Sequence, residues 1–178
     1  PRVGELPLPL GNRLPLSLKW NNESMPISLT VNGTQHFFDG DPTTPLLYFL
    51  RNNLALNGPK YGCGLEQCGA CMVLIDGTKG PTCRIPMSEL EGKKITTLEA
   101  LAGADGLHPV QQAFLDQQAA QCGYCANGMI IATVSLLNEN PSPTDGEIRE
   151  ALARNLCRCG THSRILKAVR AAAGDSNG

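Results

Sequence analysis

The alternation of apolar and polar positions changes its period partway along the chain, and the predicted structure changes with it. From Pro26 onward, Ile27, Leu29 and Val31 alternate with Ser28 and Thr30, which puts the apolar side chains on one face of a strand. Asn32-Gly33 supplies a hairpin turn, so a second strand is expected near residues 35–38. Thr44-Pro45 reads as a helix cap followed by a first-turn proline. Leu46, Leu47, Leu50 and Leu54 then recur at helical spacing until Asn57-Gly58-Pro59 stops the run. The apolar run Met72–Ile75, the turn Asp76-Gly77 and a strand leading to Cys83 come next. Ile95-Thr96 closes the series ahead of a brief helix at 98–101. Strands with one packed helix predict a small α+β sheet domain over residues 26–102.

After the linker-like GADGLH at 103–108 the period becomes 3.6. Val110, Ala113, Phe114 and Gln117 share one helical face. Residues 128–137 are apolar nearly all round, as in a helix buried at the middle of a bundle. Pro141 and Pro143 interrupt the chain, and Thr144 with Glu147 forms a capping box for a helix whose inner face is Ile148, Ala151, Leu152 and Leu156. A last helix turns Ile165, Val169 and Ala172 inward. Four helices with short connections predict an all-α domain over residues 103–178.

Residues 1–25 fit neither period. Repeated proline blocks helix and sheet hydrogen bonding, and the leucines Leu8, Leu10 and Leu14 with Trp20 suit either an unstructured tail or an extended arm laid on a partner.

Composition narrows the function classes. The chain has 178 residues and a formal net charge of −1, with no Lys/Arg cluster and only 4% aromatic residues, so no nucleic-acid surface is expected. No apolar run reaches the length of a membrane span, so no direct membrane insertion is expected either. The outlier is cysteine: eight residues, all between Cys63 and Cys159.

Cys63-x4-Cys68-x2-Cys71 lies on one tight loop among Gly62, Gly64 and Gly69, and Cys83 follows after eleven residues. A glycine-interleaved loop can wrap its backbone around an object, and thiolates suit soft metals. The spacing is the plant-type pattern for a [2Fe–2S] cluster. Zinc is the alternative, although its ligands usually come as two short pairs. Disulfides fit less well, because the cysteines are too closely grouped to staple distant segments and no secretory leader is seen. The remaining four are Cys122-x2-Cys125 and, 31 residues later, Cys157-x-Cys159. Each pair flanks a helix end, and antiparallel packing of the two helices would gather the four sulfurs. A second [2Fe–2S] cluster fits this better than a thioredoxin-like dithiol, which needs a preceding strand where Gln111–Gln121 reads as polar helix. Rieske ligation needs two histidines, and His162 is the only one nearby.

Taken together, the plant-type quartet followed by QCGYC and LCRCGTH resembles the small iron–sulfur subunit of the molybdenum hydroxylases, the family of xanthine dehydrogenase. The likeness covers about residues 26–173. It is strongest to the nicotinate dehydrogenase branch, through TPLLYFLRNNLALNGPKYGCG, HPVQQAFLDQQAAQCGYCANGMI and IREALARNLCRCGTH. Glu66 departs from it, standing where relatives usually have glycine. The resemblance implies a ferredoxin-like (β-grasp) domain followed by a four-helix cluster domain. It also implies two [2Fe–2S] clusters, on Cys63, Cys68, Cys71 and Cys83 and on Cys122, Cys125, Cys157 and Cys159. A large partner subunit would hold a molybdenum–pterin cofactor and oxidise the substrate, an N-heteroaromatic such as nicotinate or an aldehyde. Gln121 would hydrogen-bond the pterin and the Cys159 sulfur would approach it. Electrons would leave through the helical-domain cluster and then the sheet-domain cluster to a heme c or flavin acceptor. The expected location is cytoplasmic, or membrane-associated or periplasmic through a partner.

His36 reads as a strand surface residue, His108 as a helix-start residue and His162 as solvated. With no Ser/His/Asp set, no spaced carboxylate pair and no phosphate-cradling Lys-Ser/Thr, substrate chemistry in this chain alone is not expected. A free-standing two-cluster ferredoxin and a zinc-stabilised interaction module remain the alternatives.

Overall fold

A computed structural model describes residues 25–104 and 106–174. Apart from Met25, the proposed arm lies outside them. The first half forms a mixed sheet of five strands, β1 (Ile27–Val31), β2 (Thr34–Phe38), β3 (Met72–Ile75), β4 (Thr78–Pro81) and β5 (Lys94–Thr96), in the order β2-β1-β5-β3-β4. β1 runs parallel to β5 and every other neighbour is antiparallel. Both predicted two-residue turns are present, with Asn32 and Asp76 at positive φ followed by glycines that are also positive.

Helix α1 (Leu46–Tyr48) widens into a π-turn over Phe49–Asn53, which buries the adjacent pair Phe49 and Leu50. Its start differs from the sequence expectation by one residue: Pro45, still extended, is the cap, and no side chain caps the helix. The orphan N–H groups are satisfied by tertiary contacts, Leu46 donating to the Ile85 carbonyl at 2.9 Å and Leu47 to that of Thr82 at 3.0 Å. That docking brings Leu47 against Cys71 and Cys83. One core sits beneath this face, built from Leu29, Val31, Leu46, Phe49, Leu50, Val73, Met87, Leu90 and Ile95.

The second half supplies α2 (Pro109–Asp116), α3 (Ala126–Glu139), α4 (Asp145–Leu152) and α5 (His162–Ala172). α2 stops five residues short of Gln121, with Gln118 turned to positive φ. His108 proves to be a working cap, its Nδ1 accepting the Val110 N–H at 3.2 Å. The Thr144/Glu147 capping box forms as predicted. Leu156 does not belong to the inner face of α4. That helix ends at Leu152, the chain turns, and Leu156 is 63% exposed because its backbone N–H is held by the Cys68 carbonyl.

The two halves share a core. Alternate side chains of β3 face opposite ways, Val73 into the sheet core and Met72 with Leu74 into the helical one beside Met129, Ile131 and Ile165. α3 is therefore buried on all sides from Asn127 to Ser135, between the sheet and the other helices. Away from the cysteines, Lys79 of β4 ties the halves again, its N–H to Ser135 Oγ at 3.1 Å and its Nζ to the Ala151 carbonyl at 2.6 Å.

Candidate metal centres

The sequence leaves the eight cysteines in two groups, and the fold gathers each group into sulfur pairs. Cys63 is in contact with Cys68, and Cys83 with Cys71; in the helical half Cys122 pairs with Cys159 and Cys125 with Cys157. The first quartet is assembled by α1, which holds the 82–85 segment beside the loop, and by β3, which starts directly after Cys71. The second lies where Cys122 and Cys125 precede α3 and where Cys157 and Cys159 span the turn from α4 to α5. All eight are free thiols. Among the described residues no three His, Cys, Asp or Glu side chains surround a single point fit for one metal ion. Two sulfur pairs side by side match a two-iron cluster with four cysteine ligands better than one tetrahedral zinc.

Backbone amides converge on the sulfurs. The Leu65 and Gln67 N–H groups reach Cys63 Sγ at 3.3 and 3.2 Å, and the Glu66 N–H is directed at Cys83. Three successive N–H groups are thus spread over two sulfurs by the left-handed turn at Glu66, whose φ is 59°. In the other quartet the Tyr124 N–H points at Cys122, the Cys122 N–H at Cys159 and the Thr161 N–H at Cys157. Burial works against thiolate formation at Cys63, but these N–H donors prevail and hold it at about 7. Cys157 is likewise at about 7, where burial is outweighed by the Thr161 hydroxyl and N–H. Burial dominates at Cys83, pushed up to about 11, and at Cys125, pushed up to about 12.

Exposure divides the two quartets. Cys71 and Cys83 are buried beside Leu47, whereas Cys122 is exposed and Cys159 half-buried at the surface. Gln121 and Cys159, 38 positions apart in sequence, line one surface cavity of about 290 Å³. Ser163 and Arg164 line it too, and no spacing rule singled them out. His162 is exposed, and His36 sits at the edge of the Phe49 ring with centroids 6.3 Å apart.

The seam between the quartets was not legible in the sequence. The Leu156 N–H donates to the Cys68 carbonyl at 3.0 Å, so one hydrogen bond joins the residue before Cys157 to a cysteine of the other group. The Tyr124 hydroxyl donates to the Tyr61 carbonyl. Buried Asn127 donates through Nδ2 to the Ala70 and Met72 carbonyls at 3.1 and 2.9 Å. A polar residue at the head of an otherwise apolar helix was the one available signal for Asn127.

Comparison with known proteins agrees with this geometry. Residues 29–102 match the family model of a 2Fe-2S iron-sulfur cluster binding domain, and residues 97–170 that of a [2Fe-2S] binding domain. The chain is 58% identical over 147 residues to one of the subunits of nicotinate dehydrogenase from Pseudomonas putida, covering 83% of this chain and 94% of that one. Quinoline 2-oxidoreductase from Pseudomonas putida 86 contains a chain of the same fold, with a TM-score of 0.79 and 37% identity over 86% of this chain and 96% of that one. The aldehyde oxidoreductase of Desulfovibrio desulfuricans matches with a TM-score of 0.80 and 38% identity over 85% of this chain, which spans only 18% of that longer polypeptide.

Proposed function

The chain belongs to the small iron–sulfur subunits of the molybdenum hydroxylases, and on that premise we propose that it carries electrons from a molybdenum–pterin site in a larger partner subunit to an external acceptor. The observation that carries this reading is the pair of four-sulfur groups joined by the Leu156–Cys68 hydrogen bond. In residue terms, Cys63, Cys68, Cys71 and Cys83 hold one [2Fe–2S] cluster within a sheet domain, residues 26–102. Cys122, Cys125, Cys157 and Cys159 hold the other within a helical domain, residues 103–178. The clusters supply reversible one-electron carriage. The chain supplies N–H donors that favour negative charge on the sulfurs, an apolar cover over Cys71 and Cys83, and a short bonded link across the seam.

The helical-domain cluster faces the molybdenum subunit. Cys122 is exposed, and Tyr61, Leu65, Tyr124 and Leu156 present apolar surface around the two quartets, which suits burial against a partner. Gln121 and Cys159 line one cavity, and the glutamine amide and the cysteine sulfur would meet the pterin there. The sheet-domain cluster is the outer station, passing electrons to a heme c or flavin group on another subunit or domain. The names of the relatives support an N-heteroaromatic substrate such as nicotinate, oxidised in the partner; an aldehyde is the second reading. No helix among the described residues is long and apolar enough to cross a membrane. Residues 1–25 are proposed as an arm laid on that assembly.

Purification of the intact assembly tests the reading. About four irons and four labile sulfides per chain are expected, together with a larger molybdenum-containing subunit. Two irons would remove the second cluster, stoichiometric zinc would favour an interaction module, and a chain that purifies alone with both clusters would be a ferredoxin.

A further inference from the structure

We propose that Asn155 is a positioning residue for the redox properties of the seam, its carboxamide dipole favouring the electron on the sheet-domain cluster. The inference rests on the two-cluster reading above. Asn155 is 5% exposed, and neither its Oδ1 nor its Nδ2 has a hydrogen-bond partner. Its place is where three cysteine-bearing segments meet. A Cβ on Gly69, between Cys68 and Cys71, would stand 2.7 Å from the Arg154 carbonyl oxygen and closer still to Asn155 Nδ2. A Cβ on Gly128, three residues after Cys125, would stand 2.8 Å from the same Nδ2 and overlap the Gly69 carbonyl. The amide therefore fills a niche left by two glycines, one beside each quartet. The next residue makes the Leu156–Cys68 bond.

An unpaired buried amide loses its hydration without a compensating hydrogen bond, a penalty that a leucine of similar shape would avoid. The other buried carboxamide at the seam, Asn127, donates its Nδ2 to two carbonyls and lacks a partner only at Oδ1, whereas Asn155 lacks one at both ends. Asn155 is thus a group the fold does not need for stability, held in a low-dielectric contact where a fixed dipole acts strongly. Its Nδ2 end, the positive one, lies against Gly69 in the plant-type loop. Positive potential there favours the extra electron on the neighbouring cluster, because hydrogen-bonding dipoles and burial set iron–sulfur potentials.

The test is an EPR-monitored redox titration of the purified complex, with thermal unfolding measured in parallel, for wild type, N155L and N155D. Two distinct reduced-cluster signals are expected in wild type; their absence overturns the two-cluster reading and this proposal with it. In N155L the midpoint of the sheet-domain signal should move to more negative potential relative to the helical-domain signal, with the melting temperature unchanged or raised. N155D keeps the shape but replaces the N–H donor with an anionic oxygen, so the same shift should be larger. If N155L fails to retain iron, N155D decides. Two wild-type signals with unmoved midpoints in the deciding variant overturn the proposal alone. So does a fall in N155L melting temperature with midpoints intact, which would mark a structural amide.

Discussion

Glu66 occupies a backbone conformation that suits glycine, and the reason lies in the sulfurs around it. With φ at 59°, the turn aims the N–H groups of Leu65 and Gln67 at Cys63 and that of Glu66 at Cys83. A side chain in the left-handed region costs about 1–2 kcal/mol, while glycine loses about 0.5–1 kcal/mol in chain entropy. Glu66→Gly should therefore be neutral to stabilising by about 1 kcal/mol, with an unaltered visible spectrum, as thermal melting of the loaded chain would register. A loss of iron in that variant would mean the carboxylate side chain matters to the site. The cysteine spacing alone pointed to the eight candidate ligands. It could not say which sulfurs pair, because the contact of Cys71 with Cys83 depends on α1 holding the distant 82–85 segment beside the loop.

Among the elements, α3 carries the most constraint. Its first turn clamps the plant-type loop through Asn127, and Gly128 lets the helix backbone touch the Gly69 carbonyl. Both atoms in that contact belong to backbone, so no rotamer change can relieve a methyl group placed there. Gly128→Ala should push α3 away from the loop, cost about 1–3 kcal/mol as an overpacked contact, and lower iron content in both quartets. Thr144→Ala makes the control, since it removes the side-chain acceptor of the α4 capping box far from any sulfur. It should cost about 1 kcal/mol and leave iron and sulfide at wild-type levels. Equal iron loss in the two variants would show that α3 has no special hold on the clusters. The uniform apolar character of residues 128–137 was readable as a buried helix. Its role as a clamp was not, because that depends on which loop the first turn meets.

For the whole molecule, the proposed order of electron flow separates the two quartets. Cys63→Ser alters the sheet-domain site, away from the Gln121–Cys159 cavity. Substrate should still reduce molybdenum and the helical-domain cluster in a single turnover, while steady-state transfer to the acceptor collapses. On the proposed roles, Cys159→Ser would remove an iron ligand and a pterin contact together, and should disturb both cofactors. Low-temperature EPR of the two complexes after substrate addition distinguishes them, and the opposite pattern would reverse the order of the stations.

Local chemistry was enough to determine much of this protein from its sequence. Alternation set β1, a short apolar run set β3, the Asn32-Gly33 and Asp76-Gly77 turns set the hairpins, and Thr144 with Glu147 set a helix start, since each depends on residues close in the chain. Cysteine spacing likewise marked both sulfur groups. Tertiary packing alone decided how the parts face one another. The strand order that places β5 between β1 and β3 is one such case. Another is the two-sided burial of β3, with Met72 and Leu74 in the helical core. Leu156 shows the same limit: periodicity put it on the inner face of α4, but the Cys68 carbonyl, 88 positions away, holds its N–H and leaves its side chain in the open. Contacts between segments so far apart leave no period in a single sequence, so the seam between the two sulfur groups becomes visible only once the chain is folded.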